Sequence, residues 1–262
     1  MQWRVKDQVI VVTGASKGIG FGIAKCLLAR GAKVALLARG AERLQQAVAA
    51  LQSDDAIGIA VDVSNKQCLT DALEQVWQRW GRLDGIVNNV GAQFARRIEL
   101  MPEDEVRRLV DMNLIGTIFG SQCAIPFLRK NGGGRIINIS SSAVRDKNEF
   151  AHIALYTACK AGIDLFTKEL REEVMADNIM VTLFSSGSVF TGSVDNFDPV
   201  AARDALAAWQ AKGKYYRGGT TPDVMGEAVA QCFEYPPQIL ADFIEVRPGQ
   251  HIPKELEDTS SN

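Results

Sequence analysis

Val9-Ile10-Val11-Val12-Thr13-Gly14-Ala15-Ser16-Lys17-Gly18-Ile19-Gly20 is the stretch from which the rest of the chain is read. It begins as a continuous β-branched run, which suits a strand buried on both faces, as in a parallel sheet. Helical periodicity follows at Ile23, Ala24, Leu27 and Leu28, and Gly31 stops it. The order is strand, glycine turn, helix. Glycines at such a junction let the backbone come close to a phosphate, and a helix N-terminus attracts its charge. The spacing, G-x-x-x-G-x-G, differs from the G-x-G-x-x-G of the common dinucleotide fingerprint. A purely structural turn is the plainer alternative; Gly14, Gly18 and Gly20 at one junction favour the phosphate.

Working outward, Lys33 to Ala38 reads as a second strand, followed by Arg39, Gly40 and a helix through Leu44, Val48 and Leu51. In a dinucleotide-binding sheet the end of this strand meets the adenosine ribose. An acid there grips the 2′-hydroxyl, whereas an arginine pairs with a 2′-phosphate. Ala38 offers no carboxylate, and Arg39 with Lys17 offers two cations. This favours NADP(H) over NAD(H). The alternative for Arg39 is an ordinary surface charge.

Ile57–Val61 is a third strand, ending at Asp62-Val63, with Ser64 as the expected N-cap of a helix through Leu69, Leu73, Val76 and Trp80. Leu83–Val87 is a fourth, entering Asn88-Asn89-Val90-Gly91. Pro102-Glu103 opens a long helix in which Asn113 is out of place by propensity, and Pro126 should kink or end it late. Arg135–Ile139 is a fifth strand running into Ser140-Ser141-Ser142. Ile179–Phe184 and Asp242–Val246 are the sixth and seventh. Residues 187–220 read as irregular and hold Phe190, Phe197, Trp209, Tyr215 and Tyr216. The polar tail, 254–262, is expected to be mobile. Alternating strands and helices without a linker imply one domain over 1–262: an α/β, doubly wound, seven-stranded parallel sheet with helices on both faces.

Composition narrows the function classes. Of 262 residues 47% are apolar and the formal net charge is -2, which gives no electrostatic case for nucleic acid or an anionic membrane. No apolar run approaches the ~18 residues of a membrane helix. The cysteines at 26, 68, 123, 159 and 232 are odd in number and scattered, which suits free thiols in a reducing, cytoplasmic compartment. His152 and His251 are too few for a histidine metal site, so no metal is expected.

Tyr156-Thr157-Ala158-Cys159-Lys160 carries the chemistry. Residues four apart on a helix share a face, so a phenol and an ammonium stand together. A nearby cation lowers a tyrosine pKa. Bringing it from about 10 to about 7 takes roughly 4 kcal/mol, and a tyrosine so tuned exchanges protons with a carbonyl or alcohol oxygen. Alone, the pair reads more readily as a solvated helix face, and the rest of the chain changes that balance.

Taken in order, these segments resemble the short-chain dehydrogenase/reductases, in their single-domain form, over nearly the whole chain. Thr13 to Gly20 is similar to that family's cofactor turn, which implies cofactor contacts from Gly14, Ser16, Lys17, Gly18, Ile19 and Gly20. Asp62, with Val63, resembles its adenine-contacting acid. Asn88-Asn89-Val90-Gly91 is similar to its Asn-Asn-Ala-Gly segment, with Asn89 and Gly91 at the cofactor. Gly187, Val189 and Thr191 fit its nicotinamide-side loop. Asn113, Ser141, Tyr156 and Lys160 resemble its four catalytic residues. The implied activity is hydride transfer between NADP(H) and a small carbonyl or alcohol substrate. Tyr156 is then general acid/base, Ser141 polarises the carbonyl, and Lys160 holds the cofactor ribose and lowers the tyrosine pKa. Asn113 orients a relay water. The resemblance also implies a homodimer or homotetramer. The irregular 187–220 segment reads as a substrate lid over a pocket that Phe150, Phe190 and Trp209 would make apolar, unless these aromatics pack under the lid or at a subunit contact.

Three features depart from the family pattern. Val90 replaces alanine. The interval from Ser141 to Tyr156 is about two residues long, which leaves open whether Ser140, Ser141 or Ser142 faces the substrate. Ser186-Gly187 stands for Pro-Gly, and losing the fixed φ of proline should loosen the loop. Two other readings remain: an NAD-dependent diol or hydroxy acid dehydrogenase, and a non-enzymatic NADP-binding sensor on the same fold.

Overall fold

The computed structural model describes residues 5–146, 150–191, 198–211 and 219–249. Phe197, Tyr215, Tyr216, His251 and the tail from Lys254 lie outside the described residues. Strands β1 (Val9–Thr13), β2 (Lys33–Ala38), β3 (Ala56–Ala60), β4 (Gly85–Asn88), β5 (Gly134–Ser141), β6 (Ile179–Ser186) and β7 (Phe243–Val246) form one parallel sheet in the order β3-β2-β1-β4-β5-β6-β7. The chain starts in the middle, winds outward to β3, then returns beside β1 to build the other half. The order reverses between β1 and β4, where open α/β sheets bind ligands at their strand ends.

The β1 run is buried on both faces because its side chains alternate. Ile10 and Val12 join Val34, Leu36 and Phe184, under Ile23 and Leu27 of helix α1 (Gly18–Ala29). Val9 and Val11 join Ala35, Leu37 and Ile86, under Leu69, Leu73 and Val76 of the helix that follows β3. Helix α2 (Ala41–Leu51) covers the first face through Leu44 and Ala47; α3 (Lys66–Trp80) covers the second. The N-cap of α3 is Asn65, whose side chain accepts from Cys68 N–H at 3.1 Å. Ser64 does not cap because its hydroxyl and its N–H both donate to Asp62, at 2.7 and 3.0 Å.

Helix α4 (Glu103–Val110) runs through a widened π turn, Asp111–Ile115, into α5 (Gly116–Lys130), which passes Pro126 and ends soon after it. Helix α6 (Ala154–Val174) follows β5. The 187–220 stretch is not all irregular: α7 spans Pro199–Ala211. Asp198 accepts from the N–H groups of Val200 and Ala201, at 3.1 and 2.9 Å, ahead of a proline that suits the first helical position. Its apolar periodicity is faint because Ala205 is its one buried residue. Helix α8 (Pro222–Gln231) crosses α1 at two glycines. A β-carbon on Gly22 would lie 2.3 Å from the Pro222 carbonyl oxygen, and one on Gly226 would lie 2.3 Å from the Gly22 carbonyl carbon. Among the described residues no helix is long and apolar enough to cross a membrane.

Candidate active site

The glycine turn sits at the carboxyl end of β1. Gly14 and Gly18 have φ of +67° and +57°, a conformation that disfavours side chains. Thr13 fastens the turn to the end of β4. Its hydroxyl accepts from Asn89 N–H at 2.9 Å and Val90 N–H at 3.2 Å, and its carbonyl accepts from the Asn89 amide at 2.9 Å. A β-carbon on Gly20 would stand 2.6 Å from that Asn89 amide nitrogen. Lys17, exposed, is the N-cap of α1 and supplies no side-chain cap, and no acid occupies the first helical turn. Among the described residues no side-chain cap meets the leading amides around Gly18, Ile19 and Gly20, which suits a phosphate. Ser16 is half-buried beside them.

Residues 187–191 reach over this turn. Thr191 side-chain atoms lie 3.4 Å from the position of a β-carbon on Gly18. The loss of proline at 186 is offset by pairing: Gly187 N–H donates to Val246 O at 2.8 Å, and Ser186 Oγ donates to Gly187 O at 3.0 Å. Val189 bridges Thr220, while Phe190 N–H donates to Thr220 O at 2.9 Å. A β-carbon on Gly187 would lie 3.0 Å from Arg247 Cα and Pro248 Cδ, a tight fit.

At the other end, Ala38 of β2 pairs with Ala60 of β3, so Arg39 and Asp62 leave adjacent strand ends. Burial pushes the Asp62 carboxyl up, but the two Ser64 hydrogen bonds and the charge of Arg39 outweigh it and hold it below its ordinary value. A carboxylate therefore does stand within electrostatic reach of Arg39, contrary to the reading of sequence neighbours alone. Val63 is buried against Gly116.

Asn113 lies in the π turn, fully buried. Its amide donates to Ala92 O and Leu109 O, both at 2.9 Å, and its oxygen accepts from Ala92 N–H at 3.2 Å. Gly91 is the joint of this corner. A β-carbon there would lie 3.1 Å from Asn113 Oδ1 and 3.4 Å from Lys160 Nζ. Lys160 is 3% exposed, and its Nζ donates to Ile139 O at 2.8 Å. Burial lowers its pKa to about 8, against the opposing charges of Cys159 and Asp164.

Tyr156 is one turn earlier on α6, with Lys160 Nζ 5.9 Å from its ring centroid. Burial pushes the phenol above its ordinary value, and a hydrogen bond with Ser141 pulls it back. The net direction is upward, opposite to the lowering expected from the Tyr–Lys spacing, because desolvation outweighs the Ser141 bond. The three serines separate cleanly. Ser140 is buried, its hydroxyl bonded to Asp164 and, at 3.4 Å, to Lys160 O. Ser141 reaches Tyr156 and also accepts from Ala143 N–H at 3.2 Å. Ser142 is buried and begins a short 3-10 turn.

The surroundings of Tyr156 are apolar: Ala95, Ala143, Phe150, Ile153, Ala205 and Trp209. Phe150 and Trp209 meet edge to face at 5.6 Å, and the indole N–H donates to Ala151 O at 2.8 Å. Phe190 is exposed, with its ring against Gly219. Sequence reading passed over Asp164, although it repeats the four-residue spacing of Tyr156 and Lys160, and Arg145, which pairs with it.

A family model described as short chain dehydrogenase matches residues 8–200. An uncharacterized oxidoreductase of Staphylococcus aureus (strain USA300) is 31% identical over 242 residues, covering 92% of this chain and 97% of the relative. A solved 3-ketoacyl-(acyl-carrier-protein) reductase from Brucella melitensis, complexed with NADH, is 25% identical with a TM-score of 0.80, covering 94% of this chain and 98% of the other. An alcohol dehydrogenase from Thermococcus sibiricus, complexed with 5-hydroxy-NADP, shares the fold at 23% identity and a TM-score of 0.79, covering 95% and 100%. The chain belongs to the short-chain dehydrogenase family.

Proposed function

We propose that the chain is an oxidoreductase that interconverts a carbonyl and an alcohol with NADP(H) as its cofactor. The observation that carries this is the meeting of Ser141, Tyr156 and Lys160, with Asn113 behind Gly91, beside an uncapped glycine turn. The glycine turn would hold the pyrophosphate, Asp62 and Val63 the adenine, Arg39 and Lys17 the 2′-phosphate, and Asn89, Gly187, Val189 and Thr191 the nicotinamide half. When bound, the cofactor supplies the hydride.

The chain's own residues handle the proton and the orientation. Ser141 donates to the substrate oxygen and polarises the carbonyl. Tyr156 gives that oxygen its proton, and takes one back in the reverse direction. Burial keeps the phenol protonated in the free chain, which suits the acid role. Lys160 is placed to hold the ribose hydroxyls. Both amide hydrogens of Asn113 are engaged by Ala92 and Leu109, so a relay water would meet its amide oxygen or the main chain. The wall of Phe150 and Trp209 favours carbonyl compounds with an apolar substituent, with α7 as part of the lid. The free cysteines accord with a cytoplasmic setting, and a homodimer or homotetramer follows from the family resemblance.

The test is turnover of aryl and alkyl ketones with NADPH and with NADH, beside cofactor titrations. NADPH-dependent turnover supports the reading, and faster turnover with NADH favours the NAD-dependent alternative. Tight NADPH binding with no turnover across ketones and aldehydes favours the sensor.

A further inference from the structure

Behind Ser141 and Lys160 lies a set of charged groups that the proposed chemistry does not use. Asp164, its side chain 14% exposed, accepts from the Ser140 hydroxyl on one oxygen and pairs with Arg145 through the other. The Ser140 hydroxyl also lies 3.4 Å from Lys160 O. Arg145 extends the set across the sheet. It donates to Ser185 Oγ at 3.4 Å, stands 3.9 Å from Glu245, and lies over the Phe243 ring at 4.2 Å. Arg247 bonds Glu245 at 2.7 Å and pairs with Asp146. The ends of β5, β6 and β7 and one turn of α6 are thereby joined beneath the site.

We propose that Asp164 is a positioning residue: by holding Ser140 and Arg145 it keeps Ser141 facing Tyr156 and keeps Lys160 seated on β5. The argument is geometric. Neighbouring side chains at a strand end point to opposite faces, so a Ser140 tied to Asp164 leaves Ser141 directed into the cleft. The same bond ties the strand end to the helix turn that carries Lys160. A buried hydroxyl held by a charged acceptor is a strong anchor, and without that acceptor Ser140 keeps only its 3.4 Å contact with Lys160 O, and Arg145 only Ser185 and Glu245. Asp164 also sets the charge about Lys160. The titratable groups there are Tyr156, Cys159 and Asp164 on its own helix, with Arg145 beyond. Gly91 and Asn113, facing it from the β4 segment and the π turn, carry no charge.

The inference rests on the proposed cofactor and reaction, and its test separates the two. NADPH dissociation constants are measured from neutral to alkaline pH for wild type, Asp164→Asn and Asp164→Glu, with ketone turnover alongside. In wild type, affinity should weaken as Lys160 deprotonates near its value of about 8. Asparagine keeps the shape but removes the negative charge, so this inflection should move to lower pH, and glutamate should restore part of it. Turnover should fall roughly 10- to 100-fold in Asp164→Asn, as expected for a displaced catalytic group. Adding Ser140→Ala should then cost little more, because the two act as one unit. An inflection and a turnover both unchanged in Asp164→Asn overturn the inference. If wild type binds NADPH but turns over no carbonyl, the proposed reaction fails, and the movement of the inflection decides the inference alone.

Discussion

Lys160 Nζ donates to the main-chain carbonyl of Ile139 at 2.8 Å, which fastens the lysine to β5 with its ammonium 5.9 Å from the Tyr156 ring centroid. The ammonium is buried, and its pKa falls from 10.5 to about 8. Between these values the unfolded chain holds a proton that the folded chain has released, so stability rises with pH across that window. Below it the folded chain carries the full penalty of a buried ammonium. The difference in unfolding free energy between wild type and Lys160→Met should therefore grow in favour of wild type as pH rises from about 8 to 10.5. A difference that stays flat in urea titrations across the window would show that the lysine is well solvated.

Tyr156→Phe keeps the ring in its apolar surroundings and removes the proton donor. Turnover should fall by about 10²–10⁴-fold or more, with the NADPH dissociation constant nearly unchanged. Retained turnover would remove Tyr156 from the mechanism.

Ser141→Ala should be the most damaging of the three serine changes, by about 10²–10³-fold in turnover, the usual loss for a donor to a reacting oxygen. Ser140→Ala should be milder, since Ser140 is bonded to Asp164 and only orients its neighbour, and Ser142→Ala should be close to silent. Kinetics on the three variants decide this, and a sensitive Ser142 would mean that the facing residue was misassigned.

Arg39→Leu should weaken NADPH by roughly 10- to 150-fold, the worth of about 1.5–3 kcal/mol of charge-assisted bonding, and leave NADH almost untouched. Ala38→Asp combined with Arg39→Leu should reverse the preference, since it adds an acceptor for the 2′-hydroxyl beside Asp62. Equal losses for both cofactors would show that Arg39 ignores the phosphate.

Gly22→Ala forces a β-carbon to within 2.3 Å of the Pro222 carbonyl oxygen, where backbone meets backbone at the α1–α8 crossing. Overpacking of this kind costs about 1–3 kcal/mol. Denaturant unfolding should show that loss, and an unchanged midpoint would mean that the two helices part freely.

The alternation of strand and helix, the glycine turn, and the placing of Tyr156 and Lys160 on one helix face were legible in the residues alone. These are local matters of side-chain period, backbone freedom and four-residue spacing, and neighbours in the chain settle them. Which serine meets Tyr156, the charge of Asp62 within reach of Arg39, and the packing of Trp209 in the Tyr156 cluster from a helix hidden in an alanine-rich stretch came from the fold. It also reversed the expected direction of the Tyr156 pKa. Desolvation and long-range pairing depend on what the fold brings near a group. The partners concerned are far away in sequence: Ile139 for Lys160, Ser140 and Arg145 for Asp164, Ala151 for Trp209.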